Sequence, residues 1–458
     1  MSAARAAPYL AAGAAGVGVG LAVSAQVPLL RAAPALAGAM GAAIAMASAS
    51  GRWGLALLIV AIFFPVSFGF SGAIVGPPDA AVALVLAVWV SRMILQRRIA
   101  IARTSGDWAI AALLLAATAA TFASALSAGP VPVEASLKKM AQLASFVALY
   151  YFVATQAQDR GALRFAAAVF LGFSALEALY AVLFQFVPGQ IGIPGLWPPY
   201  LASRATARAM GTVDASFGHY MAAALLLAIS IASQGDGRLR RLAAITVPVL
   251  FAGLISSGTR GSMIAAGAGV TLVIAFSSRR RIVFAHLAGL SVLVIAAALL
   301  APGLASPAKL QFLFTSHGAS SIAVRLLSWN IGWQLALAHP WLGLGPGANA
   351  LTVETLIGVP AEVLRYVEGT MNAYLQAFLE MGVVGVAGLL GFIACVSGTA
   401  VTRGARSNGL ALGLGAAVFA LGVTGLTGPL LMGGIGHLLF ALAGLVAAAA
   451  VSLEDERA

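Results

Sequence analysis

Apolar stretches alternate with short polar segments along almost the whole chain of 458 residues. Each stretch approaches the roughly 20 residues that a helix needs to cross the hydrocarbon core of a bilayer. The pattern predicts fourteen membrane-spanning helices, and because the first two are the weakest, twelve spans is the alternative. The predicted spans cover residues 7–27, 31–50, 53–70, 80–97, 108–126, 138–157, 164–187, 214–233, 241–258, 261–278, 282–301, 374–400, 409–428 and 434–452.

Two segments between the spans are longer than the rest. Residues 188–213 are rich in proline and glycine, and residues 302–373 form the only long stretch without a predicted span. Long connections in compact proteins commonly carry function, and the second one has a helical pattern. We therefore predict an all-α, polytopic transmembrane helix bundle with one long loop that contains short helices. Its segments are 1–187 (first spans), 188–301 (central spans), 302–373 (helical loop) and 374–458 (last spans).

One helix of the long loop is predicted in more detail. Ser320 and Ser321 are candidates for its N-cap, since serine side chains accept hydrogen bonds from the first backbone N–H groups. Arg325, Trp329 and Trp333 follow at intervals of four residues, which places them on one face. Tryptophans with this spacing are typical of a helix at a membrane interface.

The basic residues indicate the orientation of the bundle. With both termini inside, 17 of the 26 lysines and arginines fall on the cytoplasmic side and nine on the outer side. Short cytoplasmic loops are enriched in lysine and arginine, so this orientation is favoured. It puts the long loop and residues 188–213 on the outer face, where we expect the functional site.

Composition excludes several classes of protein. The chain is 61% apolar and 9% charged, whereas soluble domains carry roughly 25% charged residues. Its net charge of +12 comes largely from arginines in loops between spans, so it indicates topology rather than binding to nucleic acid. The single cysteine, Cys395, rules out an internal disulfide and a cysteine-based metal site.

Among the outer basic residues, Arg260 has the most restricted position. It lies in a turn, Ser256–Ser262, that joins two spans and is too short to reach far into water. A guanidinium group presents a planar set of donors that matches phosphate oxygens. Arg260 and Arg325 are therefore the best candidates for holding a diphosphate, although contact with lipid headgroups is the alternative for Arg260.

Four short motifs stand out in the C-terminal half. They are Thr259-Arg260-Gly261, Arg325 to Trp329, Pro340 to Gly345, and Met371-Asn372-Ala373-Tyr374-Leu375 with Glu380, Gly382 and Gly385. In residues and order they resemble the motifs of the O-antigen ligase and polymerase family. That family has a Thr-Arg-Gly or Ser-Arg-Gly turn, an Arg-x-x-x-Trp helix, a Pro-x-x-Gly-x-Gly segment and a His-Asn-x-Tyr-Leu segment followed by Glu and two glycines. The resemblance covers residues 200–400.

The resemblance implies a metal-independent, inverting glycosyltransferase without a cofactor. The donor would be an undecaprenyl-diphosphate-linked glycan and the acceptor a hydroxyl of a glycan, a lipid A core or a protein. Arg260 and Arg325 would stabilise the charge on the leaving diphosphate. The residues expected to bind substrate are Arg208, Arg260, Arg325, Trp329, Asn372 and Tyr374.

One position departs from the family pattern. The histidine expected to deprotonate the acceptor is replaced by Met371, which cannot accept a proton. Glu368 is the first candidate for a substitute base, and the other candidates are Glu362, Glu354, Asp214 and His219. In the alternative, structural interpretation, each of the carboxylates is a solvated surface charge, and His219 is a histidine within the membrane whose hydrogen bonds are made by the protein.

Two other functions stay open at this point. A transporter of a lipid-linked sugar or small anion would place ionisable residues near the middle of its spans, where this chain has chiefly Glu177 and His286. A non-catalytic assembly partner would explain Met371. The expected location in each case is a bacterial inner membrane, in contact with its lipids.

Overall fold

The chain is described here from a computed structural model. It covers residues 51–63, 68–70, 73–75, 77–97, 101–127, 129–186, 216–300, 316–354, 369–404 and 408–455. Within these residues there are fourteen helices and one short antiparallel hairpin, β1 (Phe68–Phe70) with β2 (Ala73–Val75). The helices are α1 (Gly51–Ile62), α2 (Pro77–Leu95), α3 (Asp107–Leu126), α4 (Val133–Gln156), α5 (Arg160–Phe186), α6 (Phe217–Gln234), α7 (Gly237–Ser256), α8 (Arg260–Phe276), α9 (Arg280–Leu300), α10 (Ser316–Ala338), α11 (Asn349–Glu354), α12 (Ala373–Gly404), α13 (Gly409–Thr424) and α14 (Gly433–Asp455).

The predicted helical membrane fold is confirmed. Eleven of the last twelve predicted spans coincide with a helix, the span over residues 53–70 does so only in part, and the first two lie outside the described residues. Six of the described helices are long and apolar enough to cross a membrane. They are Asp107–Leu126, Arg160–Leu183, Phe217–Gln234, Gly237–Ser256, Ala373–Thr402 and Gly433–Ser452. The protein is therefore a multi-pass membrane protein.

Two local predictions were wrong. The span predicted over residues 53–70 is helical only to Ile62, and its last residues form strand β1. Pro65 follows this helix end, as expected where a residue lacks the N–H that a helix needs. Ser320 and Ser321 do not cap a helix, since α10 begins at Ser316 and contains both.

Helices α6, α13 and α14 form the centre of the bundle. Nearly every residue of α6 and α13 is buried, and α14 is buried along most of its length. Small side chains allow this, because alanine and glycine let helix backbones approach closely. Gly413 of α13, for example, would place a Cβ atom 3.0 Å from the Leu227 Cα atom of α6. Central helices of this kind hold their end residues in fixed positions.

Two ion pairs between neighbouring segments lie at one end of the bundle. Arg52 at the start of α1 pairs with Asp159 before α5, and Arg164 of α5 pairs with Asp236 before α7. The Arg52 guanidinium holds the pKa of the Asp159 carboxyl below its usual value. In the predicted orientation these four residues are all cytoplasmic.

The opposite end, which we call the Arg260 end, brings together four chain segments. Gly218 at the start of α6 lies against Ser257 and Thr259 of the α7–α8 turn. The Ala373 N–H at the start of α12 donates to the Gly425 carbonyl, 2.8 Å away, in the turn after α13. The predicted spans alternate in direction, which requires these four segments to lie at the same end of the bundle. The structure places them there.

Candidate functional site

The Thr259-Arg260-Gly261 turn is shaped by two glycines. Gly258, two residues after the end of α7, has φ of +59°, in the left-handed region that favours glycine. Gly261 lies directly on Thr427 of the α13–α14 turn, so a side chain at position 261 would overlap the Thr427 hydroxyl. The turn therefore starts α8 at Arg260 and fixes this half-buried arginine at the Arg260 end.

Helix α10 is packed against the start of α12. Gly332 allows the close approach, since a Cβ atom there would lie 2.6 Å from the Thr370 Cγ2 atom. The Trp333 ring contacts the Phe378 ring with a centroid separation of 5.5 Å. This packing carries Arg325, two turns earlier on α10, into the neighbourhood of Arg260.

Arg260 and Arg325 interact electrostatically. Burial lowers the pKa of the Arg325 guanidinium, and the positive charge of Arg260 lowers it further. Two like charges in a partly buried place destabilise one another unless an anion lies between them. The structure thus brings together the two arginines that the sequence predicts as a pair, and we call them the arginine pair.

Two donors near the arginine pair have no protein acceptor in the described part of the chain. They are Nε of Arg325 and Nε1 of Trp329, which lie one helical turn apart on α10 and are buried at these atoms. A buried donor without a partner costs roughly 1–3 kcal/mol, so such groups usually face a ligand or water. Both groups are donors, and Arg325 is also positively charged, so an oxyanion such as a diphosphate would satisfy them.

The Pro340–Gly345 segment docks on a kink in α12. Gly382 has φ of +65° and ψ of −165°, which interrupts the helix and frees backbone groups on either side. The Leu344 and Gly345 N–H groups donate to the carbonyls of Leu379 and Glu380, at 2.8 and 3.1 Å. The Val383 N–H donates to the Pro340 carbonyl at 2.9 Å. Residues 343–347 form a tight turn, with positive φ at Gly343, Gly345 and Gly347.

The buried Glu380 side chain holds the segment after this turn by hydrogen bonds. Its carboxylate accepts from the Asn349 N–H at 3.3 Å and from the Gln376 side chain at 3.3 Å, and it is 4% exposed. Asn349 Oδ1 in turn accepts from the Thr370 N–H at 2.9 Å. This network indicates that Gln376 and Glu380 fix packing within the site.

Asn372 caps α12. Its Oδ1 atom accepts from the N–H groups of Tyr374 and Leu375, both at 3.0 Å, and its Nδ2 atom donates to the Leu426 carbonyl at 3.2 Å. The Tyr374 hydroxyl donates to the Gly422 carbonyl at 2.6 Å. Both side chains therefore join α12 to the end of α13, and their predicted contact with substrate stays a prediction.

Met371 has an unusual backbone conformation. Its φ is +49°, in the left-handed region that residues other than glycine, asparagine, aspartate and histidine rarely adopt. Such conformations persist only where the surrounding structure imposes them, and they are commonest at functional sites. The position that the resemblance assigns to a histidine therefore lies in a constrained segment of the Arg260 end.

His219 belongs to the same site, although its side chain is only 8% exposed. Its Nδ1 atom lies 3.3 Å from the Ser262 hydroxyl, and the charge of Arg325 acts on its ring. The sequence places His219 at the end of a span but gives no signal that it meets Ser262. The predicted residues Glu368 and Arg208 lie outside the described residues, as do Glu362 and Asp214.

Fold and site together define a multi-pass helical membrane protein with a cationic cluster at one end of the bundle. Residues 243–390 match the family model described as O-antigen ligase. The matched segment contains Arg260, Arg325 and the Gly382 kink. Over this segment, the match confirms the resemblance predicted from the sequence. The match implies an activity of the glycosyltransferase-like ligase or polymerase type.

Two further comparisons add little to this assignment. No curated protein matches the chain. A solved chain from a structure entitled "Structural coordination of polymerization and crosslinking by a peptidoglycan synthase complex" is similar, with 21% identity and a TM-score of 0.38. The similarity covers 76% of this chain and 98% of that one. A TM-score of this size supports no functional assignment.

Proposed function

We propose that this protein transfers a glycan from an undecaprenyl-diphosphate-linked donor to an acceptor hydroxyl, on the periplasmic face of the bacterial inner membrane. The observation that carries the proposal is the arginine pair, with an Arg325 Nε atom that is buried and lacks an acceptor in the described residues. A diphosphate supplies the missing acceptors and the negative charge. The O-antigen ligase match over the same residues supports this choice of reaction.

The arginine pair has a chemical role in this proposal. When the bond between the anomeric carbon and the diphosphate oxygen breaks, negative charge develops on the diphosphate. Fixed guanidinium groups at a low-dielectric boundary stabilise that charge more than water does, without needing to reorganise. Attack from the opposite face would invert the anomeric configuration, and neither step requires a metal ion.

The Arg260 end is proposed to face the periplasm because of the distribution of basic residues. The opposite end carries Arg52, Arg164 and Arg241, in agreement with the excess of arginine on the cytoplasmic side. Both termini are then cytoplasmic. A lipid-linked donor would approach from the bilayer with its diphosphate at the level of the arginine pair.

The proposal is tested with purified protein in liposomes and a labelled undecaprenyl-diphosphate glycan. Arg260→Ala and Arg325→Ala should each reduce transfer by roughly 100- to 1,000-fold, the usual effect of removing one group that stabilises an oxyanion. Arg241→Ala is the matched control, since Arg241 is an exposed arginine at the opposite end. Full activity in both site variants would refute the role of the pair.

The products distinguish the remaining possibilities. A longer lipid-linked glycan indicates a polymerase, capture on a lipid A core indicates a ligase, and capture on protein indicates a protein glycosyltransferase. Movement of intact donor across the bilayer would indicate a transporter instead. Absence of any cleavage by the wild-type protein would favour a non-catalytic assembly partner.

A further inference from the structure

Helix α6 delivers a histidine to the site. The helix is apolar and almost wholly buried, and His219 lies in its first turn, beside the α7–α8 turn that holds Arg260. Packing alone would be served by an aliphatic residue. A buried imidazole at this position therefore needs partners, and Ser262 and the Ser216 backbone provide them.

The contacts of the ring give its two nitrogen atoms different roles. Nδ1 lies 3.3 Å from the Ser262 Oγ atom, and the Ser216 backbone carbonyl also accepts a hydrogen bond from the ring. Nε2 points toward the α13–α14 turn, where a Cβ atom on Gly428 would be 3.5 Å away. In the neutral tautomer with hydrogen on Nδ1, a lone pair remains on Nε2.

The ring of His219 lies among the residues of the candidate site. The charge of Arg325 acts on His219, and the charge of Arg260 acts on Arg325. The turn Gly425–Gly428 lies next to Nε2 at Gly428, and its Gly425 and Leu426 carbonyls accept hydrogen bonds from Ala373 and Asn372. His219 thus contacts the same turn as the segment that follows Met371.

We infer that His219 is the proton acceptor of the transfer reaction, positioned by Ser262, and this inference rests on the proposed function. The acceptor hydroxyl gives its proton to Nε2 while its oxygen bonds to the anomeric carbon. The bond from that carbon to the diphosphate oxygen breaks, and its electron pair stays on the diphosphate, which the arginine pair holds. The proton then leaves His219 for water, and undecaprenyl diphosphate is released.

Gly428 has a function in this arrangement. A methyl group at this position makes ordinary van der Waals contacts, at 3.5 Å from Nε2 and 3.7 Å from the Thr424 carbonyl oxygen. Gly428→Ala should therefore fold normally. Because the methyl group would cover Nε2, we expect it to reduce transfer without lowering the affinity for undecaprenyl diphosphate.

Azide provides a direct test, because it is an anionic nucleophile and needs no proton acceptor. His219→Ala should lose roughly 100- to 10,000-fold in transfer to hydroxyl acceptors, the range for general bases. Binding of undecaprenyl diphosphate should be unchanged. Added azide should restore cleavage of the labelled donor and give a glycosyl azide. Arg325→Ala, whose defect concerns the leaving group, should not be restored.

Three matched variants make the result decisive. His219→Gln keeps a polar partner for Ser262 and tests the same point if His219→Ala is unstable. Ser262→Ala should lower the transfer rate while leaving the affinity for undecaprenyl diphosphate unchanged. Glu368→Gln tests the base predicted from the sequence, and azide should restore whichever variant lacks the true proton acceptor.

The outcomes separate this inference from the proposed function. If both His219 variants transfer glycan at the rate of the wild type, the role of His219 is overturned but that of the arginine pair is unaffected. The role of His219 is also overturned if azide restores cleavage in Glu368→Gln alone, or in neither Glu368→Gln nor His219→Ala. Failure of the wild-type protein to cleave any donor would instead count against the proposed function itself.

Discussion

Arg325 and Arg260 lie on different helices and each comes from a separate family motif, yet the charge of Arg260 lowers the pKa of Arg325. Such a pairing destabilises the protein unless an anion compensates it. Sites that bind or transform a ligand commonly retain unfavourable charges of this kind. The electrostatic cost therefore provides a test that does not depend on the reaction.

Arg325→Met should leave the thermal midpoint unchanged or raise it. The substitution removes a partly buried charge and its repulsion from Arg260, and methionine fills much of the same space. Arg325→Lys retains the charge and serves as the control. Thermal unfolding in detergent measures both, and a marked fall in the midpoint of Arg325→Met would show that Arg325 supports the fold rather than a ligand.

Gly382→Ala should destabilise the protein by about 1–3 kcal/mol, the usual cost of one strained backbone position. The added Cβ atom would meet φ of +65° and overlap the Trp341 carbonyl oxygen, which undoes the docking of the Pro340–Gly345 segment. Gly172→Ala, on α5, is the matched control because nothing lies within 4 Å of its added Cβ atom. Thermal midpoints that fall equally in both variants would contradict this account of the kink.

Asn372→Ala should cost about 1 kcal/mol of stability, the typical value for loss of an N-cap. Asn372→Ser keeps an oxygen that can cap α12 and should recover most of the thermal midpoint. We expect transfer to follow stability in the two variants, since the amide is already bonded to the protein. Lost transfer in Asn372→Ser at normal stability would instead indicate the substrate contact predicted from the sequence.

Met371→His should raise the rate of transfer. Histidine tolerates the left-handed conformation of this position better than most residues, so the backbone should accept it. The new imidazole would lie across the Gly425–Gly428 turn from His219 and supply a second proton acceptor. Its effect should be largest in a His219→Ala background, where transfer is otherwise lost.

Met371→Asn is the control for this substitution. Asparagine has the same tolerance of positive φ but cannot take up a proton. A gain in transfer that appears equally with asparagine would reflect relief of backbone strain rather than base catalysis. Transfer rates of the wild type, Met371→His and Met371→Asn at one donor concentration decide between these explanations.

The membrane fold was predictable because each span must be apolar over its whole length. Helices α5, α6 and α12 begin within a few residues of their predicted starts for this reason. The alternation of spans then required Arg260, Met371 and His219 to lie at the same end. Span 53–70 was wrong because hydrophobicity alone does not distinguish the end of α1 from the apolar hairpin that follows.

The assembly of the site was less predictable, since it depends on contacts between distant parts of the chain. Gly382 resembles the packing glycines of other spans in sequence, and only its conformation explains why Pro340–Gly345 docks there. The contact between His219 and Ser262 likewise follows from how closely α6 and α8 approach. The spacing of residues in the sequence predicts neither the Gly382 kink nor the contact between His219 and Ser262.

The most direct measurement of the central claim is a double-mutant cycle on the affinity for undecaprenyl diphosphate, with protein in nanodiscs. Arg260→Gln and Arg325→Gln should each weaken binding by about 10- to 100-fold, as expected for a hydrogen bond to a charged group, and the double variant should lose less than the two effects combined. Arg241→Gln should bind as the wild type does. Single variants that bind normally, or effects that are fully additive, would contradict a shared diphosphate site.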